Sequence, residues 1–407
     1  FEALQARHEV LRTVFLEGTS GPIQRINEQM PVDFSVVDAP ADSDVLEKMV
    51  VGEAAKPFDL AKGPVYRCLI IRMQPNEYVI VLTLHHIVSD MVSAGILFKD
   101  LSAFYRAKIG SSSADLPELP VQYADYAAWQ RDCFAKGLLA GQVEYWRQQL
   151  KDAPAYLEVP LDNPRPALPT FLRGFVPLAV SKDTFEQIGK LCREENATPF
   201  MFFMAAYMHL LGKHANRKDI LVGTDVLNRD RSETANLIGF FVNQLVFRAD
   251  LAQSATFREL LRQVRDTAFE AYAHQDLPFD QLVEQLRPAR DRERPPFYQV
   301  KLAYGTGAPA APDLEGVQVR REPRVRDTAQ LDLTLFLNES AGSVTGELEY
   351  RAELYRPETI ARIVADYEAM IRSFAGDPNA ALDTQPGPAP TAQDRKKANR
   401  AKLLGGL

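Results

Sequence analysis

The residue types best able to do chemistry lie together in HHIVSD, where His85, His86 and Asp90 fall within residues 85–90. An imidazole titrates near pH 6.5, so it takes up and returns protons close to neutrality. Beside an amine attacking a carbonyl, it accepts the proton that the new bond displaces, and His86 is the candidate. A second reading of the same stretch is structural: the histidines end a strand and Asp90 caps the next helix, with Ser93 in its first turn. Asp90 is able to do both jobs. Imidazoles and a carboxylate are also competent metal ligands, but no further Cys or His cluster completes a site, so no metal is expected. His209, His214 and His274 read as structural or surface residues. The chain contains no GxSxG nucleophile elbow, and covalent catalysis is not indicated.

The neighbouring elements must carry these groups. Tyr78 to Leu84, YVIVLTL, is apolar and β-branched, which predicts a strand buried on both faces that delivers His85 and His86 at its end. After Asp90, the residues Val92, Ile96, Leu97, Leu101, Phe104 and Tyr105 recur at helical spacing, predicting a helix from near Met91. The histidines thus fall at a strand-to-helix junction, and strand ends of this kind open into clefts. Further along, Pro154, Pro160, Pro164, Pro166 and Pro169 exclude regular helix from about 151 to 173, a candidate crossover between lobes. Thr198–Pro199 is a helix start, and Asp219 to Val226 reads as a buried strand. Thr256 and Glu259 have capping-box spacing. LDLTLFLNES and SVTGELEYR form a hairpin pattern about Ala341–Gly342, followed by an amphipathic stretch from Pro357 to Phe374. Beyond residue 376, proline, glycine and then basic residues predict a linker or tail. Because several strands follow one another without intervening helices, the expected class is α+β.

The chain of 407 residues is 46% hydrophobic, enough for two lobes. Its 47 basic and 54 acidic residues leave a net charge of −7, which argues against nucleic acid as a partner. Cys68, Cys133 and Cys192 lie far apart and suggest neither disulfides nor a metal pair, as in a reducing cytoplasm. No run approaches the roughly 18 apolar residues of a membrane helix, and no signal peptide opens the chain, so no membrane association is expected. The opening FEALQARHEVLRTVF starts in mid-pattern and reads as part of a longer polypeptide.

With these residues in view, the chain resembles the condensation-domain family of non-ribosomal peptide synthetases, whose hallmark is HHxxxDG. HHIVSD matches it, with Met91 in place of the glycine. ARHEVLRTVF (6–15), KPFDLAKGPVYRCLI (56–70), YADYAAWQ (123–130), VGTDVLNRD (222–230), IGFFVNQLVFR (238–248) and HQDLPFDQLVEQL (274–286) follow in the family's order. The family's first motif and first strand would precede Phe1.

The resemblance implies a pseudo-dimer of two chloramphenicol-acetyltransferase-like lobes in a V shape with a central tunnel. Residues 1–165 would form the first lobe, 166–375 the second, and 376–407 a tail. It implies amide-bond formation between a donor acyl thioester and an acceptor amine, both tethered to phosphopantetheine arms of upstream and downstream carrier-protein domains, with neighbouring synthetase domains as further partners and no cofactor of its own. His86 becomes the catalytic or substrate-positioning group, His85 supports the motif, and Asp90 pairs with Arg229. Met91, Ser93 and Asn243 would line the tunnel, although Asn243 equally suits a strand-end hydrogen bond. Met91 either narrows the acceptor side or fills a local apolar gap. Alternatives within the fold are a modifying (for example dehydrating) or a non-catalytic recruiting variant; outside the family, a coenzyme A-dependent acyltransferase shares the HxxxD logic. The motifs of the heterocyclising and epimerising branches are absent.

Overall fold

The computed structural model of the chain describes residues 1–19, 21–157, 159–288, 291, 294–305, 309–322 and 328–382. Two units emerge, and their chain segments interleave. The first comprises Phe1–Leu138, Leu227–Val242 and Ala308–Val325; the second comprises Leu139–Val226, Asn243–Gly307 and Arg326–Leu407. This division differs from the expected one at residue 165. It falls at Leu138/Leu139, and two later segments return to the first unit.

In the first unit, helix α1 (Glu2–Arg7) leads into a hairpin of β1 (Thr13–Gly18) and β2 (Gly21–Ile26). Strands β3 (Asp33–Asp38), β4 (Tyr66–Gln74) and β5 (Glu77–Leu84) form a sheet in that order. β3 and β4 run parallel, which requires a crossover, and helix α2 (Ser43–Ala55) provides it. β4 and β5 are antiparallel and need only a tight turn. Helices α3 (Met91–Lys108) and α4 (Tyr123–Ala135) follow. Leu4, Val10, Leu11, Tyr66, Val88, Leu97 and Ile238 pack into one core, so the end of β5, the start of α3 and the returning segment share a hydrophobic anchor.

Two expectations meet this unit. The helix after Asp90 begins at Met91, as the periodicity predicts. The strand before the histidines is corrected: β5 ends its sheet, and Tyr78 and Ile80 are each 51% exposed. An unbroken apolar run looks alike in a strand buried on one face and in one buried on two, because periodicity carries no signal there.

The second unit holds α5 (Ala140–Gln149), β6 (Arg173–Val180), α6 (Lys182–Glu194), α7 (Pro199–Ala215), β7 (Asp219–Val226), β8 (Asn243–Asp250), α8 (Phe257–Ala273), α9 (Phe279–Leu286), β9 (Val300–Gly305), β10 (Leu333–Ser340), β11 (Ser343–Arg351) and α10 (Pro357–Gly376). Its six-stranded mixed sheet runs β6-β11-β10-β9-β7-β8. Helix α7, apolar on every side, is buried from Met201 to Gly212, with Thr198 capping its first turn. The Thr256/Glu259 capping box, the β10–β11 hairpin and the strand at Asp219–Val226 all form as read from sequence.

The proline-rich stretch carries no helix or strand between α5 and β6 among the described residues, but it lies inside the second unit and not at the change of unit. It is tied down: Arg165 Nη1 donates to Asp332 Oδ1 at 2.9 Å, and Asp162 Oδ2 accepts from Arg356 N at 2.8 Å, at the start of α10. The expected tail also begins later than 376. Asp377–Leu382 docks back through Arg258 N to Pro378 O and Leu382 N to Ala255 O, each 2.8 Å. The rest of that tail, 383–407, lies outside the described residues.

Candidate active site

The site lies in the first unit, where β5 ends and α3 begins. His85 is fixed there: its backbone N–H donates to Val65 O at 2.9 Å, and its Nδ1 accepts from Ile87 N at 3.0 Å. Acceptance at Nδ1 places the proton of the neutral ring on Nε2. Burial, and then the neighbouring His86, push the His85 pKa below its ordinary value, so the ring is held neutral. The next residue opens a single turn of 3₁₀ helix, His86–Val88, which swings the His86 side chain into solvent. Among the described residues, neither ring nitrogen of His86 has a hydrogen-bond partner. Its ring instead meets Phe240 edge-on, with centroids 4.7 Å apart.

Asp90 fixes the other side of the loop, with a side chain that has no exposed surface. Oδ1 accepts from Ser93 N at 2.8 Å, capping α3, and Oδ2 accepts from Phe241 N at 3.1 Å. Arg229 Nη2 donates to both oxygens, at 3.1 and 3.3 Å. Arg229 is anchored in turn through Nη1, which donates to the carbonyls of Thr234 (2.9 Å) and Leu237 (2.8 Å), while its guanidinium carbon lies 4.1 Å from the Phe241 ring centroid. Burial pulls the Arg229 pKa down against the opposing pull of Asp90. Asp90 therefore caps α3, as the structural reading has it, and pairs with Arg229, as the resemblance implies.

Ser93 is corrected from its expected tunnel position. It is fully buried, and its hydroxyl accepts from Arg229 Nη2 (2.8 Å) and Gly239 N (3.0 Å) and donates to Gly239 O (2.8 Å). Every capacity of the hydroxyl is taken up by Arg229 and Gly239, leaving none for a substrate. Asn243, in the second unit, is engaged in the same way. Its Nδ2 donates to Gln275 O and Leu277 O, each at 2.8 Å, and its Oδ1 accepts from Phe279 N at 3.0 Å. The strand-end reading, not the substrate reading, fits this geometry.

Met91 is the first residue of α3 and is 45% exposed, so it fills no closed apolar gap. Its backbone is ordinary helix without positive φ, and methionine sits there without strain. Sequence reasoning gave no role to Tyr123, Gly239, Phe240 or Phe241. Tyr123 Oη donates to Phe240 O at 2.9 Å, and a Cβ on Gly239 would lie 2.2 Å from the Tyr123 ring, which explains the glycine. The signal was present in YADYAAWQ and IGFFVNQ, but the meeting of α4 with residues 239–241 is tertiary. Among the described residues, no three His, Cys, Asp or Glu side chains gather to hold a metal.

An α+β chain that presents an exposed imidazole from a buried Asp–Arg-braced HHxxxD loop defines a class of fold and site. The chain belongs to the condensation-domain family, whose model matches residues 1–394. It is 37% identical over 392 residues to one polypeptide of linear gramicidin synthase from Brevibacillus parabrevis, covering 95% of this chain and 8% of that polypeptide. It is 36% identical over 391 residues to phosphinothricin tripeptide synthetase PhsC of Streptomyces viridochromogenes, covering 94% of the chain and 36% of the relative. The chain thus spans a small part of these relatives, which are non-ribosomal peptide synthetases. Among solved structures, the X-domain from teicoplanin biosynthesis superposes with a TM-score of 0.87 at 27% identity, covering 95% of this chain and 88% of that one. The complex of that X-domain with OxyB gives 0.86. The fold is that of condensation-domain structures. Among the described residues, no helix is long and apolar enough to cross a membrane.

Proposed function

We propose that this domain joins a donor acyl thioester to an acceptor amine, each carried on the phosphopantetheine arm of a carrier-protein domain, with His86 as the proton-handling residue. The observation that carries the reading is the contrast between a loop held by Asp90, Ser93 and Arg229 and the His86 side chain on it, whose ring nitrogens have no hydrogen-bond partner among the described residues. The amine nitrogen attacks the thioester carbonyl, the carbon–sulfur bond breaks, and the donor arm leaves as its thiol. His86 orients the amine and accepts its proton as the tetrahedral intermediate forms. A strong base is unnecessary, because an α-amine of pKa about 7.7–8.0 is partly neutral at pH 7. Proximity of the two tethered groups supplies much of the rate. The domain needs no cofactor beyond the arms, and its partners are the two carrier domains and adjoining synthetase domains. His85, Asp90 and Arg229 position the loop, and Met91 borders the acceptor.

The test is intact-mass spectrometry of loaded donor and acceptor carriers with the wild type, His86→Ala and Met91→Gly. Transfer of the donor group to the acceptor arm, lost in His86→Ala, is expected, and Met91→Gly is expected to widen the range of acceptors. Absence of transfer with verified cognate carriers overturns the reading. The likeness to an X-domain solved in complex with OxyB supports a second reading, a partner-docking module, which predicts saturable binding of a partner protein that His86→Ala leaves unchanged. Loss of water from a tethered residue marks a modifying variant, and turnover of coenzyme A thioesters without a carrier marks a free acyltransferase.

A further inference from the structure

We infer that Phe240 is the positioning residue for His86, a role that rests on the function proposed above. In many proton-transferring sites a carboxylate orients the imidazole by binding its second nitrogen. Among the described residues, no such partner reaches His86, and Asp90 is consumed by Arg229, Ser93 N and Phe241 N. The ring contact to the imidazole is with Phe240, in a T-shaped arrangement with centroids 4.7 Å apart and 62° between planes.

The backbone presenting that ring is pinned at three successive residues. Gly239 exchanges two hydrogen bonds with Ser93 Oγ, Phe240 O accepts from Tyr123 Oη, and Phe241 N donates to Asp90. Phe240 itself remains 41% exposed, so core packing does not account for an aromatic ring there. An aromatic wall restricts the imidazole to one tilt while leaving both nitrogens open to take a proton and pass it on. Asp90 therefore serves His86 at one remove: it fixes Phe241, and so the Phe240 ring.

The test uses the full chain with Phe240→Leu and Phe240→Tyr. Two readouts are made: kcat and KM for donor transfer between loaded carriers, and the His86 Cε1–H resonance by NMR, assigned with His86→Gln. We expect Phe240→Leu to lower kcat about tenfold with KM little changed, at the upper end of what an aromatic pair supports. Phe240→Tyr retains the rate, and the ring-current shift of the His86 proton is lost only in the leucine variant. An unchanged kcat in Phe240→Leu, where His86→Gln abolishes transfer, overturns the inference and leaves the proposed function standing. An unmoved His86 resonance overturns it as well. If the wild type transfers nothing, the proposed function fails, and the role of Phe240 in the reaction falls with it whatever the resonance shows about the contact.

Discussion

Asp90→Asn is the sharpest probe of the loop, because both carboxylate oxygens are committed to donors. Oδ1 receives Ser93 N and Oδ2 receives Phe241 N, so either orientation of an asparagine amide sets its NH₂ against a backbone N–H. The change also removes the negative partner of Arg229, whose guanidinium stays buried beside Phe241. Removing one member of a buried pair costs about 3–5 kcal/mol, a large part of the roughly 5–15 kcal/mol that holds a domain together. Urea unfolding followed by tryptophan fluorescence, from Trp129 in the first unit and Trp146 in the second, measures the loss. With a slope of about 3 kcal/mol/M, the midpoint falls by at least about 1 M. Because the double variant Asp90→Asn/Arg229→Met removes the stranded charge as well, it is expected to regain part of the loss. A midpoint within about 0.3 M of wild type in Asp90→Asn would refute the argument that ionic pairing braces the loop.

Gly239→Ala places a methyl group into the Tyr123 ring and is expected to destabilise the first unit by about 1–3 kcal/mol, measured by the same unfolding curve. Asn243→Ala strands Phe279 N and the carbonyls of Gln275 and Leu277; a loss of about 1–3 kcal/mol and faster amide exchange at Phe279 should follow. His85 and His214 both have pKa values lowered by burial, so the unfolded chain binds protons more readily than the folded one. Their contribution to stability is fully present above about pH 6.5 and declines as pH falls toward their folded values. A His85→Gln/His214→Gln variant should therefore show a flatter dependence of urea midpoint on pH between about 6.5 and about 5 than the wild type. An equal slope would show that these rings do not govern it.

Local chemistry was legible in the sequence wherever one segment contains all the partners. Asp90 as the cap of a helix starting at Met91, Thr198 and Thr256 as caps, and the β10–β11 hairpin each depend on residues a few positions apart. The family, too, was readable from motifs in order along the chain, and Arg229 as the partner of Asp90 followed from that likeness. Tertiary structure alone decided which polar side chains remained unengaged. Ser93 and Asn243 carry groups that suit a substrate, yet distant backbone atoms satisfy them, whereas His86 has no such partner among the described residues. The exposed faces of Tyr78 and Ile80 and the approach of residues 239–241 to Asp90 belong to the same category. Capping and turn preferences are set by the backbone within one turn, so the sequence determines them locally. Burial and hydrogen-bond satisfaction depend on whichever distant segment arrives, and that is fixed only when the chain closes on itself.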